Sequence, residues 1–252
     1  MLIAAAAACV VVLAVSSTAV AFQHFGSGCS RDDFRSGGAP VRAELCRAGT
    51  GASRAVVVLH GCGGFSTFDH RLAVELPHYG ISTLDVDYFE PTPPPGKKGF
   101  CDAHGSVGNV FTTWIRVVDD AATTLAAGAG VSPRGVGVVG WSLGGGVAIA
   151  AAAGAGGRRP FHAVAGFSTA AFDAAAVARL LPPTILLSGG RTDAIPLSET
   201  LPLYHALRAA HVPSSLYVYP HGSHDWPARQ GTLGIEHAAA FLRRHLPSRT
   251  DH

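Results

Sequence analysis

The stretch GVGVVGWSLGGGVA, residues 135–148, decides how the rest of this chain is read. Its first part, Gly135–Gly140, is an apolar, valine-rich run of the kind that forms a strand buried on both faces. The residues after it, Leu143–Ala153, read as a helix rich in glycine, alanine and valine. Between the two, Gly140-Trp141-Ser142-Leu143-Gly144 matches G-x-S-x-G. In a strand–turn–helix setting that turn is strained, and glycines two residues to either side of the serine relieve the crowding. The serine hydroxyl is then held clear of the sheet at a helix N-terminus, where the dipole favours developing negative charge. Ser142 is the candidate nucleophile.

The flanking sequence alternates strands with helices. Ala55–Leu59 is a buried strand meeting the loop that starts at His60-Gly61, and Ile81–Asp87 is a second. Phe161–Phe167, Thr184–Leu187 and Ser215–Tyr219 are predicted strands, and Val41–Cys46 is an earlier one. Helices are predicted at Asn109–Gly128, Leu201–Ala210 and Gly234–His245. This alternation gives a mostly parallel sheet covered on both faces. No internal repeat or strong linker divides the chain, so residues 22–252 read as one catalytic domain.

A serine hydroxyl needs a base, and the base needs a group to orient it. In this setting the chain order is serine, acid, histidine. Asp193 follows the strand Thr184–Leu187, and His224 follows Ser215–Tyr219, both in loops at the carboxyl end of the sheet. His221 is the rival base, while Asp173, Glu199 and Asp225 are weaker candidates for the acid. Oxyanion donors are expected from the backbone N–H of Leu143 and of Cys62, the latter in His60-Gly61-Cys62-Gly63-Gly64.

The segments VVVLHGCGGF, GWSLGGGVA, GGRTDAIP and HGSHDW, spread from Val56 to Trp226, together resemble the dienelactone hydrolase family of the α/β-hydrolase superfamily. Members of that family often carry cysteine at the elbow, where this chain has Ser142, which favours ordinary ester chemistry. The elbow and Asp193-Ala-Ile-Pro196 are also similar to secreted cutinases and polyester hydrolases. The resemblance implies an α/β-hydrolase fold with a sheet of about eight strands. It also implies a carboxylic-ester hydrolase using the triad Ser142, His224 and Asp193 without a cofactor. The same triad would serve a serine peptidase, and the same fold a non-catalytic binding protein.

Only 16 residues separate Phe167 from Thr184, which leaves no room for a large helical lid. The reading is therefore an open cleft for small-molecule or polymeric esters. Phe65, Trp141 and Trp226 are candidates for its apolar wall, and the Pro-rich segment Glu90–Gly99 for its flank.

Composition narrows the remaining classes. Across 252 residues the charged fraction is 14%, the hydrophobic fraction 48% and the net charge +2, with no cationic cluster of the sort a nucleic-acid partner requires. Leu2–Val15 is an uncharged apolar run, preceded by no Lys or Arg and followed by Ala19-Val20-Ala21, so residues 1–21 read as a signal peptide cleaved after Ala21, with retention as a membrane anchor the alternative. The mature protein would then be secreted or periplasmic and free of the membrane. Four cysteines would remain, an even number that points to disulfides, with Cys29–Cys46 and Cys62–Cys101 the preferred pairs. His221 and His224 have H-x-x-H spacing but no accompanying carboxylate or cysteine cluster, so no metal is expected.

Overall fold

The computed structural model describes residues 28–49, 53–92, 99–101, 108–128, 130–132, 134–171, 173–190 and 193–248. The expected signal peptide lies outside them. Among the described residues there are ten strands: β1 (Cys29–Arg31), β2 (Phe34–Ser36), β3 (Ala39–Val41), β4 (Ala43–Cys46), β5 (Arg54–Leu59), β6 (Ile81–Val86), β7 (Val136–Trp141), β8 (Val164–Phe167), β9 (Thr184–Ser188) and β10 (Ser214–Val218). The helices are α1 (Thr67–Glu75), α2 (Gly108–Gly128), α3 (Leu143–Ala152), α4 (Ala174–Ala178), α5 (Leu197–Ala209) and α6 (Ala228–His245), with a 3₁₀ turn at Leu76–Tyr79.

Eight strands form one sheet in the order β1-β4-β6-β5-β7-β8-β9-β10. Pairing is parallel from β6 across to β10 and antiparallel at β1–β4 and β4–β6. With helices on both faces, this is the α/β-hydrolase fold. Strands β7 and β8 and the Ala55–Leu59 part of β5 are apolar throughout because each faces a core on both sides, whereas β6 also buries Ser82, Thr83 and Asp85. On β5, Ala55, Val57 and Leu59 pack with Trp114, Val118 and Ile149 of α2 and α3. The alternate residues Val56 and Val58 pack on the other face with Leu72 of α1 and Ile235 and Leu242 of α6. Each valine, leucine or isoleucine among them, fully buried, contributes about 1.5–3 kcal/mol.

Several element boundaries differ from the sequence reading. The expected strand Val41–Cys46 is divided at Arg42, and its halves join different sheets: β3 pairs with β2, β4 with β6. Arg42 itself ion-pairs with Glu90 at 2.7 Å and with Asp87. Helix α5 begins at Leu197 rather than Leu201, accommodating Pro202 inside it. Helix α6 begins at Ala228, six residues before the expected Gly234, after Pro227 at its cap. Helix α1 was not legible as a helix, although Ser66 and Asp69 form a reciprocal cap at its start. Between β8 and β9 the described residues carry only the five-residue α4, so nothing of lid size stands there.

Candidate active site

Strand β7 lies between β5 and β8 and delivers Ser142 at the carboxyl end of the sheet. Ser142 has φ 56°, a left-handed conformation that is costly for a side chain bearing a Cβ. Its N–H donates to Phe167 O at 2.9 Å, and its carbonyl accepts from Gly145 N–H at 3.0 Å and Thr169 Oγ1 at 3.1 Å. Glycine is required on both sides of this turn. A Cβ on Gly140 would overlap the Gly144 carbonyl, and one on Gly144 would overlap the carbonyls of Leu59 and His60.

His224 Nε2 lies 3.0 Å from Ser142 Oγ, and its Nδ1 lies 2.6 Å from Asp193 Oδ1. His224 and Asp193 sit in loops after β10 and β9, so three separate strand ends meet here. Trp141 Nε1 donates to the His224 carbonyl at 2.9 Å, with the two rings 5.2 Å apart. His221, the rival base, is exposed and makes no hydrogen bond to Ser142. Asp173 is the exposed cap of α4, accepting from Ala176 N–H at 3.0 Å, and Asp225 is exposed.

Asp193 is buried, which by itself would raise its pKa. Hydrogen bonds from His224, from Ser168 Oγ and from the N–H groups of Ile195 and Gly189 outweigh that effect and hold the carboxyl below its ordinary range. The Ile195 and Gly189 bonds are 3.0 and 2.7 Å long. An ionised Asp193 makes Nδ1 of His224 the donor, leaving Nε2 to accept the Ser142 proton. Sequence reading did not single out Ser168. Its only signal was a serine at the end of a buried strand.

The Cys62 loop sits beside the elbow. A Cβ on Gly61 would lie 2.9 Å from the Trp141 ring and 3.5 Å from Ser142 Cβ. His60 is fully buried, stacked on Tyr88 at 4.3 Å, with Nδ1 2.9 Å from the Gly61 carbonyl. Because the peptide is trans, holding that carbonyl toward His60 aims the Cys62 N–H the opposite way. Neither Cys62 N–H nor Leu143 N–H meets an acceptor among the described residues. The loop is anchored by Phe100 N–H to Cys62 O at 2.7 Å and by the Cys62–Cys101 disulfide. The other disulfide joins Cys29 and Cys46 across β1 and β4. Glu44 lies near that pair, but both sulfurs are already bonded.

A cleft of about 310 Å³ opens at Ser142, walled by Leu143, Gly146, Thr169, Ala170, Ala171, Ile195 and Glu199. The expected aromatic wall is not what lines it. Trp226 is a correction: with φ at 48° it is 1% exposed, its ring packed in the core among Phe68, Phe167 and Tyr219. Phe65 lies edge-on to His60 at 5.2 Å, and Trp141 packs against His224. Of the expected flank, residues 93–98 lie outside the described residues, and the neighbouring Phe100 is buried against Phe89 and Trp114. Among the described residues, no helix is long and apolar enough to cross a membrane.

The family model of the dienelactone hydrolase family matches residues 47–245. No curated protein matches the chain. Among solved structures, a dienelactone hydrolase-like promiscuous phosphotriesterase from metagenomic libraries is similar, with TM-score 0.71 and 15% identity over 87% of this chain and 98% of that one. A dienelactone hydrolase from Anabaena variabilis has TM-score 0.66 and 20% identity over 87% of this chain and 100% of its own. An esterase from the archaeon Pyrobaculum calidifontis has TM-score 0.66 and 18% identity, covering 86% and 83%. At these identities the likeness is one of fold.

Proposed function

This chain belongs to the dienelactone hydrolase family and with it to the carboxylic-ester hydrolases, and from that premise we propose that it cleaves esters through an acyl-enzyme formed on Ser142. The observation that carries this reading is the continuous contact from Ser142 Oγ through His224 to Asp193, 3.0 and 2.6 Å long. His224 Nε2 takes the Ser142 proton as Oγ attacks the ester carbonyl, and the resulting imidazolium is held by Asp193. The tetrahedral oxyanion is met by the N–H groups of Leu143 and Cys62, each worth about 10²–10³ in rate by analogy with other oxyanion donors. Collapse expels the alcohol, protonated by His224. Water activated by the same imidazole then releases the acid.

Thr169, Ala170, Ala171 and Ile195 offer the acyl group a mainly apolar wall beside Glu199, and no Lys or Arg lines the cleft among the described residues. We therefore assign esters whose acyl part carries no negative charge, whether soluble or at exposed polymer chains. The two disulfides accord with export to an oxidising compartment, the destination that residues 1–21 would direct.

A fluorophosphonate probe and p-nitrophenyl esters of graded chain length test the reading. Labelling and turnover should both vanish in Ser142→Ala, and peptide amides should be poor substrates. Turnover that survives Ser142→Ala would refute the assignment of the nucleophile.

A further inference from the structure

The described residues contain four non-glycine positions with positive φ: Ser142 at 56°, Ser168 at 45°, His211 at 57° and Trp226 at 48°. His211 follows the end of α5, where a left-handed residue is ordinary. The other three fall on one chain of hydrogen bonds. Ser142 meets His224, His224 meets Asp193, Ser168 Oγ donates to Asp193 Oδ2, and Trp226 Nε1 donates to Ser168 Oγ at 2.8 Å. Backbone strain that collects along a single polar path is the pattern expected of a functional constellation rather than of packing.

The chemistry of the last two links leaves no freedom of direction. An indole N–H only donates, and an ionised carboxylate only accepts. Ser168 therefore has to receive from Trp226 and give its own proton to Asp193. Both residues are essentially inaccessible, Ser168 at 0% and Trp226 at 1% exposure, so solvent cannot substitute for either bond. Trp226 is held from several sides. Phe68 stacks on it at 5.7 Å, Arg71 Nη1 reaches its carbonyl at 3.4 Å, and α6 carries Gly234 where a Cβ would stand 2.7 Å from the indole ring. Trp226 is also two residues beyond His224. The path thus closes on itself: His224 to Asp193 by side chains, Asp193 to Ser168 to Trp226 by side chains, and Trp226 back to His224 through the backbone.

We propose that Ser168 and Trp226 are positioning residues for the hydrolytic reaction, a buried hydroxyl–indole pair that keeps the Asp193 carboxylate aligned on His224. The proposal rests on the triad reading above. Neither residue touches substrate. Their effect is to fix one carboxylate oxygen so that the other faces Nδ1, and to tie the loop carrying the base to the loop carrying the acid.

The test compares Ser168→Ala, Trp226→Phe and the double variant, with active sites counted by fluorophosphonate titration so that misfolded protein does not enter the rate. Ser168→Ala should lower kcat per titrated site by about tenfold, equivalent to about 1.4 kcal/mol, while KM stays within about twofold. The acid limb of the kcat/KM profile reports the Asp193–His224 pair as a unit, and it should move to higher pH once the carboxylate loses a donor. Trp226→Phe should lower kcat in the otherwise wild-type chain and add nothing on top of Ser168→Ala, because the indole acts only through the hydroxyl. If Trp226→Phe yields no folded protein, the rate and pH limb of Ser168→Ala still decide. Unchanged kcat and pH limb in Ser168→Ala, with Ser142→Ala inactive, would overturn the positioning role and leave the triad standing. An equal loss from Trp226→Phe with and without Ser168→Ala would reduce Trp226 to packing. Turnover that survives Ser142→Ala would bring down both.

Discussion

Replacing Asp193 with asparagine keeps the shape of the side chain and removes one charge, and the four groups around the carboxylate set the outcome. Oδ1 of Asp193 accepts from His224 Nδ1 at 2.6 Å and from Ile195 N–H at 3.0 Å, and Oδ2 accepts from Ser168 and from Gly189 N–H at 2.7 Å. All four partners are donors, so the new NH₂ group faces a backbone N–H in either orientation. Leaving a buried donor without an acceptor costs about 1–3 kcal/mol, which is the expected loss of stability. If NH₂ faces His224, it donates to Nδ1 and forces the proton onto Nε2, where the imidazole cannot accept from Ser142. The template triad loses about 10⁴ in kcat from that tautomer, close to 5.5 kcal/mol of transition-state stabilisation. If NH₂ instead faces Gly189, the tautomer survives and the fall should be smaller, but Ser168 must then turn its proton away. The assay is steady-state hydrolysis of p-nitrophenyl acetate, normalised by active-site titration, beside urea unfolding of the same samples. A variant within about tenfold of wild type in kcat, with an unchanged urea midpoint, would refute the reasoning and with it the assignment of the acid.

Three further expectations concern the loops, the cleft and a buried carboxyl. Breaking Cys62–Cys101, which closes a loop of 39 residues in sequence separation, should cost about 2–4 kcal/mol of stability. A paired Cys62→Ser, Cys101→Ser variant should also lose more kcat than Cys29→Ser, Cys46→Ser, since only the former frees the Cys62 N–H; equal effects on kcat would separate that loop from the chemistry. Glu199 lines the cleft from the first turn of α5. Glu199→Gln should shift the ratio of kcat/KM for matched cationic and anionic esters about fivefold toward the anionic one, and an unmoved ratio would show that the acyl group does not pass that carboxylate. Asp119 of α2 has burial as its main influence, which raises its pKa to about 6 despite Arg158 3.5 Å away. The unfolded chain then loses this proton before the folded one, so stability falls as pH rises from about 4 to 6. Asp119→Asn should stabilise by about 1–2 kcal/mol at pH 7.5 and hardly at all at pH 4 by urea midpoint; the same gain at both values would contradict this.

Much of this architecture is local, and what is local was legible. Val56–Leu59 and Val136–Val139 must lie in buried strands because a continuous β-branched run fits few other places, and Gly140 to Gly144 encodes a turn that only glycines permit. Asp193 and His224 could be placed because each follows a strand, and parallel strands share one carboxyl end. The division of Val41–Cys46 between two sheets could not be read, since nothing in its alternation marks Arg42 as the corner; the corner is set by Asp87 and Glu90, more than forty residues away in the chain.

The cleft and its support belong to tertiary structure in the same way. Thr169, Ala170 and Ala171 come from the loop after β8, Ile195 and Glu199 from the loop after β9 and the first turn of α5; they are undistinguished in sequence and form a wall only once β8 and β9 lie side by side. Trp226 shows the limit most sharply. Two residues after His224 in sequence, a large aromatic suggested a cleft wall, yet Trp226 takes a left-handed φ and its buried indole N–H donates to Ser168. Periodicity reports which face of a strand or helix is apolar, but it carries no information about a single backbone dihedral in a loop. By itself the sequence determined the serine elbow, the order of its partners and the end of the sheet where they meet. The tertiary structure decided what lines the cleft and what holds Asp193 in place, because those contacts join residues that only folding brings together.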